Sequence, residues 1–158
     1  MSNEFTHIDK DGSVHMVDVS GKGATERLAI ATSQVKFPEE VYAVLKENGF
    51  NTKKGSLTQT AILAGIGAVK RTSDLIPLCH NIPIAKVDVQ IVSELNPIEI
   101  TCIVKTIGQT GVEMEALTGA SVAGLCIYDM CKALSHDIII GPTQLIEKTG
   151  GKRDFKRD

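Results

Sequence analysis

The sequence predicts an α+β fold in which helices cover one face of an antiparallel sheet. Segments whose apolar residues alternate, as in strands, are interspersed with segments in which apolar residues recur at helical spacing. Two alternating segments are joined by a short turn at Asn96-Pro97, which is typical of neighbouring antiparallel strands. Of the 158 residues, 42% are hydrophobic and only 4% are aromatic. We therefore expect one core built from Ile, Val, Leu and Ala.

The first half of the chain contains one predicted strand and two predicted helices. Alternation over residues 27–37 predicts the strand. Pro38 occupies the favoured first position of a helix, which Gly49 ends. Helical spacing over residues 57–75, up to the stop at Pro77, predicts the second helix.

The second half contains three predicted strands. Residues 84–95 and 98–107 alternate as the two arms of a hairpin. The last strand covers residues 138–146 and is interrupted at Gly141-Pro142.

A long helix separates that hairpin from the last strand. Residues 112–117 carry an extended pattern, and Thr118 is the predicted N-cap of a helix that reaches Leu134. The helix is rich in small residues that would let another backbone approach closely: Gly119, Ala120, Ser121, Ala123 and Gly124.

The predicted order is strand, helix pair, strand, strand, helix, strand, the pattern of a ferredoxin-like split βαβ fold. We expect an irregular arm over residues 1–24, the catalytic domain over 25–147, and a basic Gly-rich tail over 148–158 that contributes to the site. The strands carry apolar residues on both sides, so we expect a homo-oligomer that covers the second face.

Charge and apolar content exclude several classes of partner. The net charge of -2 offers no basic field for nucleic acid. No segment has the apolar length of a membrane span, and the start MSNEFTHIDKDG does not have the pattern of a signal peptide. The four cysteines contain no C-x-x-C pair, so we expect buried free thiols and a cytoplasmic protein.

Two carboxylates stand close together in the run Val112 to Ala116. A strand there would place Glu113 and Glu115 on one face, with Met114 on the other. Such a pair requires cations or hydrogen-bond donors nearby, unless it is simply part of a solvated outer face.

Asp129 and Lys132 share one face of the long helix, because they are three residues apart. The alternative to a functional pair is an ordinary surface ion pair. Desolvation in this mostly apolar helix would raise the pKa of the Asp and lower that of the Lys, which suits both to proton transfer near neutrality.

Two basic loops are candidate anion sites, although each could be a solvated loop. Lys53-Lys54-Gly55-Ser56 precedes a helix, whose free N–H groups would help two ammonium groups to seat a phosphate. Lys148 to Arg153 forms a second basic Gly-containing loop, without the opening Gly or following helix of a Walker A motif.

Cys79-His80 suggests a metal site only superficially. No second His or Cys lies at ligand spacing, so we predict no metal site and a hydrogen-bonding or acid/base role for His80.

Several runs, extending nearly end to end, resemble those of one known family: Thr6-His7-Ile8, His15-Met16-Val17-Asp18-Val19-Ser20, Lys54-Gly55, Lys70-Arg71-Thr72, Asp74-Leu75-Ile76-Pro77-Leu78-Cys79-His80, Thr110-Gly111-Val112-Glu113-Met114-Glu115-Ala116-Leu117-Thr118, Ile127-Tyr128-Asp129-Met130-Cys131-Lys132-Ala133 and Lys148-Thr149-Gly150-Gly151-Lys152. At these residues the chain resembles the cyclic pyranopterin monophosphate synthase family of molybdenum cofactor biosynthesis.

The resemblance implies a lyase that converts a cyclic dihydro-GTP into cyclic pyranopterin monophosphate and releases diphosphate. It implies a ferredoxin-like subunit in a hexamer, a trimer of dimers, with the site at a subunit interface. No cofactor is implied, although Mg²⁺ could accompany the triphosphate.

The resemblance also assigns residues. The catalytic groups fall on Asp129, Lys132 and Lys54. The substrate contacts fall on Leu78, Cys79, His80, Glu113, Met114, Glu115, Arg27 and Lys148. The chain departs from the family pattern at Ser56, Ser73 and Asn81, where Asp, Trp and Pro are usual, and its tail after Gly151 is slightly shorter.

Two rival functions use the same fold. One is a nucleotide-sensing module that binds without chemistry. The other is an RNA-binding module, which the shortage of aromatics and the net charge disfavour.

Overall fold

A computed structural model describes residues 7–158 of the chain. Its elements, in chain order, are β1 (Thr25–Lys36), α1 (Glu39–Glu47), β2 (Asn51–Thr52), β3 (Gly55–Ser56), α2 (Leu57–Val69), α3 (Thr72–Leu75), β4 (Lys86–Val92), β5 (Ile98–Gly108), α4 (Glu113–Cys131), β6 (Ile139–Ile140), β7 (Gln144–Thr149) and β8 (Phe155–Lys156).

The main sheet confirms the predicted α+β, ferredoxin-like fold. Its strand order is β4-β5-β1-β7-β8, with β6 paired to the end of β1. The long central strand β1 pairs antiparallel with β5 on one side and β7 on the other. β4 and β5 form the predicted hairpin. The four principal strands therefore have the order expected when two βαβ units interlock.

The two faces of the sheet have different environments. Along β5, Ile98, Ile100, Cys102 and Val104 are fully buried on the face that packs against α4, while α2 packs against the neighbouring strand β4. The residues between them point to the opposite face, where Ile107 is 66% exposed. In the part of the chain that the structure describes, no helix covers this second face.

Helices α2 and α4 approach closely where both carry glycine. A Cβ on Gly65 would lie 3.1 Å from the carbonyl oxygen of Gly119. A Cβ on Gly119 would lie 2.6 Å from Cys102 Sγ and 2.7 Å from Val69 Cγ2. The prediction that small residues bring another backbone close to the long helix is confirmed.

The prediction of an extended segment over residues 112–117 is wrong. α4 begins at Glu113, with Val112 rather than Thr118 at the N-cap position. Five residues of alternation are too few to distinguish a strand from a first helical turn, and acidic residues are favourable at the positive end of a helix. Glu113 and Glu115 consequently do not share a face, since two residues turn a helix by about 200°.

Several other boundaries also differ from the sequence-based ones. The helix predicted over residues 57–75 is divided into α2 and α3. Thr72 Oγ1 donates to the carbonyl oxygens of Ala68 (3.2 Å) and Val69 (3.1 Å) at this break, in competition with the backbone. α4 ends at Cys131, one turn before the predicted end. The basic loop before α2 contains the short hairpin β2–β3.

The described part of the N-terminal arm and the C-terminal tail both contact the domain. Of the predicted arm, residues 1–6 lie outside the described residues, and residues 7–24 are irregular apart from a bridge between Ile8 and Val14. The predicted tail starts inside β7 and returns as β8, which pairs with β7.

The four cysteines are free, and Cys102 and Cys131 are buried. Burial raises the pKa of the Cys102 thiol to about 12 and that of Cys131 to about 11. Among residues 7–158, no helix combines the length and the apolar character that crossing a membrane requires.

We expect Gly119→Ala to lower the free energy of unfolding by about 1–3 kcal/mol, because the new methyl group overpacks the contact between α2, α4 and β5. Gly67→Ala in α2 is the matched control. A Cβ there would meet no atom within 4 Å. Gly67→Ala should therefore raise the free energy of unfolding by about 0.5–1 kcal/mol, because alanine favours the helix. Urea denaturation of both variants checks the pair, and equal effects would contradict the close approach.

Candidate functional site

Three of the predicted catalytic residues lie together at the C-terminal end of α4. Lys132 Nζ lies 2.8 Å from Asp129 Oδ1, and Lys54 Nζ lies 3.0 Å from Asp129 Oδ2. Lys54 also donates to the Asp129 carbonyl oxygen at 3.3 Å, so it reaches across from the β2–β3 hairpin to the helix. We call these three residues the Asp129 cluster.

The Asp129 cluster is not desolvated in the single chain, contrary to the prediction from the apolar character of its helix. The three side chains are each more than half exposed. Hydrogen bonds from Lys132 and Lys54 lower the pKa of Asp129, and the bond to Asp129 raises the pKa of Lys132. Both shifts favour the charged forms, which are the opposite of those that burial would favour.

The predicted substrate-binding residues line two adjoining pockets at the other end of α4. The first, the His80 pocket, has a volume of about 520 Å³. It is lined by six of those residues: Leu78, Cys79, His80, Glu113, Met114 and Glu115. The second, the Arg27 pocket, has a volume of about 560 Å³ and includes Arg27, Glu113 and Lys148. Because both pockets share Glu113, Thr110 and Gly111, they form one continuous cleft.

His80 is held by the N-terminal arm. Its Nε2 lies 2.7 Å from the carbonyl oxygen of Val17. A carbonyl oxygen can only accept, so Nε2 carries the proton. In the neutral ring, Nδ1 is then the nitrogen with a free lone pair, which is able to accept a proton.

Glu115 is the buried acid of the cleft. It is only 3% exposed, in the first turn of α4. Burial raises the pKa of Glu115, and the charge of Glu113 raises it further, while a backbone hydrogen bond opposes these effects. Burial and then Glu115 also raise the pKa of Cys79, so this thiol stays protonated near neutrality. The part of the His80 pocket formed by Cys79 and Glu115 therefore favours neutral, hydrogen-bonding groups.

The Arg27 pocket is more highly charged. Lys148 Nζ lies 2.9 Å from Glu113 Oε1, so this carboxylate has a neighbouring cation of the kind that the sequence indicated it would require. Arg27 Nη2 donates to the Gln109 carbonyl oxygen at 3.4 Å. Its Nε is buried and has no partner among the described residues.

The two groups of predicted residues cannot meet within one chain. Asp129 lies 16 residues beyond Glu113 in α4, which separates them by about 24 Å along the axis and by about 160° around it. The structure thus brings the predicted residues together as two half-sites, the Asp129 cluster and the cleft.

Sequence reasoning did not assign a site role to several residues of the cleft. These are His7, Val17, Val19, Lys22, Ile82, Gln109, Thr110 and Gly111. Gly151, Lys152 and Arg153 also line the cleft, and they belong to the basic loop that the sequence indicated as a candidate anion site. The sequence around Lys22 did not indicate a functional role, because Lys22 lies in a polar stretch between Gly21 and Gly23. Its part in the cleft depends on how the arm folds back over the domain.

The departure at Ser56 has a structural explanation. Ser56 is the N-cap of α2, and its side chain accepts from the Gln59 N–H at 3.3 Å. Asp serves the same capping role, so the exchange keeps the helix start beside Lys54. Nothing in the structure explains the departures at Ser73 and Asn81.

Within residues 7–158, no group of three or more His, Cys, Asp or Glu side chains is placed to hold a metal ion. The bonds that do converge on the two half-sites join cations to carboxylates. The cations of these ion pairs suit the binding of an anionic substrate.

Glu115 predicts a pH dependence of stability. Because its folded-state pKa is raised above the ordinary 4.5, the folded state holds its proton longer than the unfolded state does. Stability therefore falls as pH rises through that window. We expect Glu115→Gln to unfold at a higher temperature than the parent at about pH 8, with little difference at about pH 4. Thermal unfolding at one protein concentration checks this, with the exposed Glu99→Gln as control. An equal rise in the unfolding temperature of Glu115→Gln at both pH values would contradict the predicted pH dependence.

Comparison with known proteins identifies the family of the chain. The family model described as the MoaC family matches residues 16–151. A relative from Xanthomonas oryzae pv. oryzae (strain MAFF 311018), named cyclic pyranopterin monophosphate synthase, is 53% identical over 156 residues, covering 98% of this chain and 94% of the relative. A relative of the same name from Xanthomonas axonopodis pv. citri (strain 306) matches with the same identity and coverage. The chain belongs to the MoaC family.

Proposed function

We propose that this chain is a cyclic pyranopterin monophosphate synthase of molybdenum cofactor biosynthesis. It is a lyase that converts 3',8-cyclo-7,8-dihydro-GTP into cyclic pyranopterin monophosphate and releases diphosphate. The observation that carries the proposal is the continuous cleft, in which the pocket of His80 and the buried Glu115 adjoins the cationic pocket of Arg27 and Lys148. Relatives that carry this name match nearly the whole chain.

The cleft fits the two ends of such a substrate. The triphosphate requires cations, which Arg27 and Lys148 offer in the Arg27 pocket. The guanine-derived ring system requires hydrogen-bond partners in a partly apolar space. Glu115 and His80 offer them beside Leu78 and Met114.

The Asp129 cluster supplies the proton chemistry in this proposal. At neutral pH, Asp129 is ionised and can accept a proton, while Lys132 is charged and can donate one. Lys54 steadies the carboxylate from the other side. When substrate and a neighbouring subunit exclude water, desolvation would move the pKa values of both groups toward neutrality, where proton transfer is most efficient.

A second subunit completes the site. The Asp129 cluster and the cleft are too far apart to act on one substrate in a single chain, so we propose that each site combines the cluster of one subunit with the cleft of another. Uncovered apolar surface supports a homo-oligomer: Ile107 is exposed on the open sheet face, and Leu63 and Leu125 are 70% and 57% exposed on α2 and α4. We propose the hexamer, a trimer of dimers, that the family resemblance implies.

We propose no resident cofactor. A Mg²⁺ ion that accompanies the triphosphate would enter as part of the substrate. We also place the protein in the cytoplasm, where its four free thiols would stay reduced.

Turnover tests the function directly. Purified protein given the cyclic dihydro-GTP should release diphosphate and form the pterin. Asp129→Asn should lower kcat by about 10²-fold or more, because it removes the proton acceptor without changing shape. Asp137→Asn removes another exposed carboxylate nearby and should leave kcat unchanged. Tight binding of the nucleotide with no turnover would favour a sensing module, and an unimpaired Asp129→Asn enzyme would eliminate the proton role.

Subunit mixing tests the shared site. Asp129→Ala and His80→Ala chains, each inactive alone, would be unfolded together and reassembled. If each site draws its cluster and its cleft from different chains, about one quarter of the sites regain both wild-type halves. Asp129→Ala mixed with Lys54→Ala is the control. Those residues belong to one cluster, so no mixed site is restored. Recovery in the control pair, or none in the first pair, would contradict the shared site.

A further inference from the structure

The described part of the N-terminal arm is a folded segment that forms part of the cleft wall. Near its start, Ile8 pairs with Val14 across a turn, and further along the N–H group of Lys22 donates to the carbonyl oxygen of Val19 at 3.0 Å. Val17, Val19 and Lys22 line the cleft together with residues of the domain. The position of the arm therefore affects the shape and the chemistry of the proposed substrate site.

A single hydrogen bond joins this arm to the domain among the described residues. The other hydrogen bonds of the arm stay within it. The exception joins His80 Nε2 to the carbonyl oxygen of Val17 at 2.7 Å. Met16 and Val19 line a third pocket of about 510 Å³, which also includes His80. His80 thus lies where the arm, the cleft and this third pocket meet.

The bond to Val17 decides which nitrogen of the His80 ring carries the proton. The carbonyl oxygen can only accept, so Nε2 donates and the neutral ring leaves Nδ1 as an acceptor. Nδ1 has no hydrogen-bond partner among the described residues, and His80 lines the cleft. Without this bond, the ring would exchange its proton between both nitrogens, and Nδ1 would be a donor in part of the molecules.

We propose that Val17 is a positioning residue for His80. Its carbonyl oxygen holds the imidazole in the Nε2–H form, and Nδ1 then accepts a hydrogen bond from an N–H group of the guanine-derived ring. Guanine offers such donors, among them its exocyclic amine. A ring with the proton on Nδ1 would set a donor against a donor, which leaves both unpaired. The inference rests on the proposed function for the identity of the substrate, whereas the fixed ring form is a property of the chain alone.

Nitrogen NMR of the full-length, assembled protein tests the ring form without turnover. Replacing Asp18 by its α-hydroxy acid analogue, which we call the Asp18 ester, turns the Val17 carbonyl into an ester carbonyl, a weaker acceptor. The N–H group that this removes donates to no described residue. In the parent protein, the Nδ1–H fraction of His80 should be smaller than that of the exposed His136. In the Asp18 ester it should rise towards the value of His136.

A second ester is the matched control. The α-hydroxy acid analogue of Val17 alters the carbonyl group of Met16, which accepts no hydrogen bond from another described residue. This control should leave the His80 ring in the Nε2–H form. An unchanged ring form in the Asp18 ester, or the same rise in both esters, would overturn the proposal.

Binding of GTP, which carries the guanine ring, tests the acceptor. His80→Asn places a carbonyl oxygen near the position of Nδ1, whereas His80→Gln places an amide N–H group near that of Nε2. Calorimetric titration should therefore show tighter GTP binding to His80→Asn than to His80→Gln. The Asp18 ester should weaken GTP binding by about 2- to 10-fold, the effect of one weakened hydrogen bond. Equal or tighter binding to His80→Gln, or unchanged binding in the Asp18 ester, would contradict the positioning role.

Turnover separates this inference from the proposed function. With the cyclic dihydro-GTP, the Asp18 ester should raise KM more than it lowers kcat. If the parent protein turns the substrate over while the His80 ring form is independent of the Val17 bond, the function stands and the positioning role fails. If the ring form and GTP binding respond as expected but the parent shows no turnover, the positioning role stands and the function fails.

Discussion

Helix α4 fixes the distance between the two halves of the site. Its 19 residues form one rigid element that packs on β1 and β5 and against α2. The cleft is built around its first turn and the Asp129 cluster around its last. Since a helix rises about 1.5 Å per residue, the half-sites of one chain lie about 24 Å apart. In the assembly that we propose, a substrate that contacts both would lie between subunits, so the geometry of one helix would couple assembly to chemistry.

The packing of α4 depends in turn on residues that are too small to contribute much contact themselves. Glycines at the crossing with α2 allow the two backbones to touch, and alanines such as Ala116, Ala120 and Ala123 are fully buried along the same stripe. Larger side chains there would lift α4 from the sheet. Both the first turn, which positions Glu115, and the last turn, which positions Asp129, would then move. The small residues of this stripe therefore determine the positions of Glu115 and Asp129 at opposite ends of α4.

The electrostatic character of the two half-sites differs for a physical reason. The Asp129 cluster is exposed, and its ion pairs lower the pKa of Asp129 and raise that of Lys132, so these two groups keep their charged forms. Glu115 is withdrawn from water beside another carboxylate, so its neutral form is favoured. An interface that excludes water from the Asp129 cluster would change the pKa values of its groups. In the cleft, by contrast, the pKa of Glu115 is already raised in the single chain. Proton transfer would then be enabled only in the assembled site.

Much of this molecule is determined by the sequence alone. Apolar alternation and helical spacing are local properties of the chain, so the order of elements along the chain, the hairpin and the α+β class follow from them. Each substrate-contact residue predicted from the family resemblance lies in the cleft. The start of α4 was mispredicted, because five residues cannot distinguish the two periodicities. Only the tertiary structure separated the site residues into two half-sites, showed that Glu113 and Glu115 diverge, and placed Lys22 and Arg153 beside Arg27. Those facts depend on distances between residues that are remote in the chain, which a linear pattern does not encode.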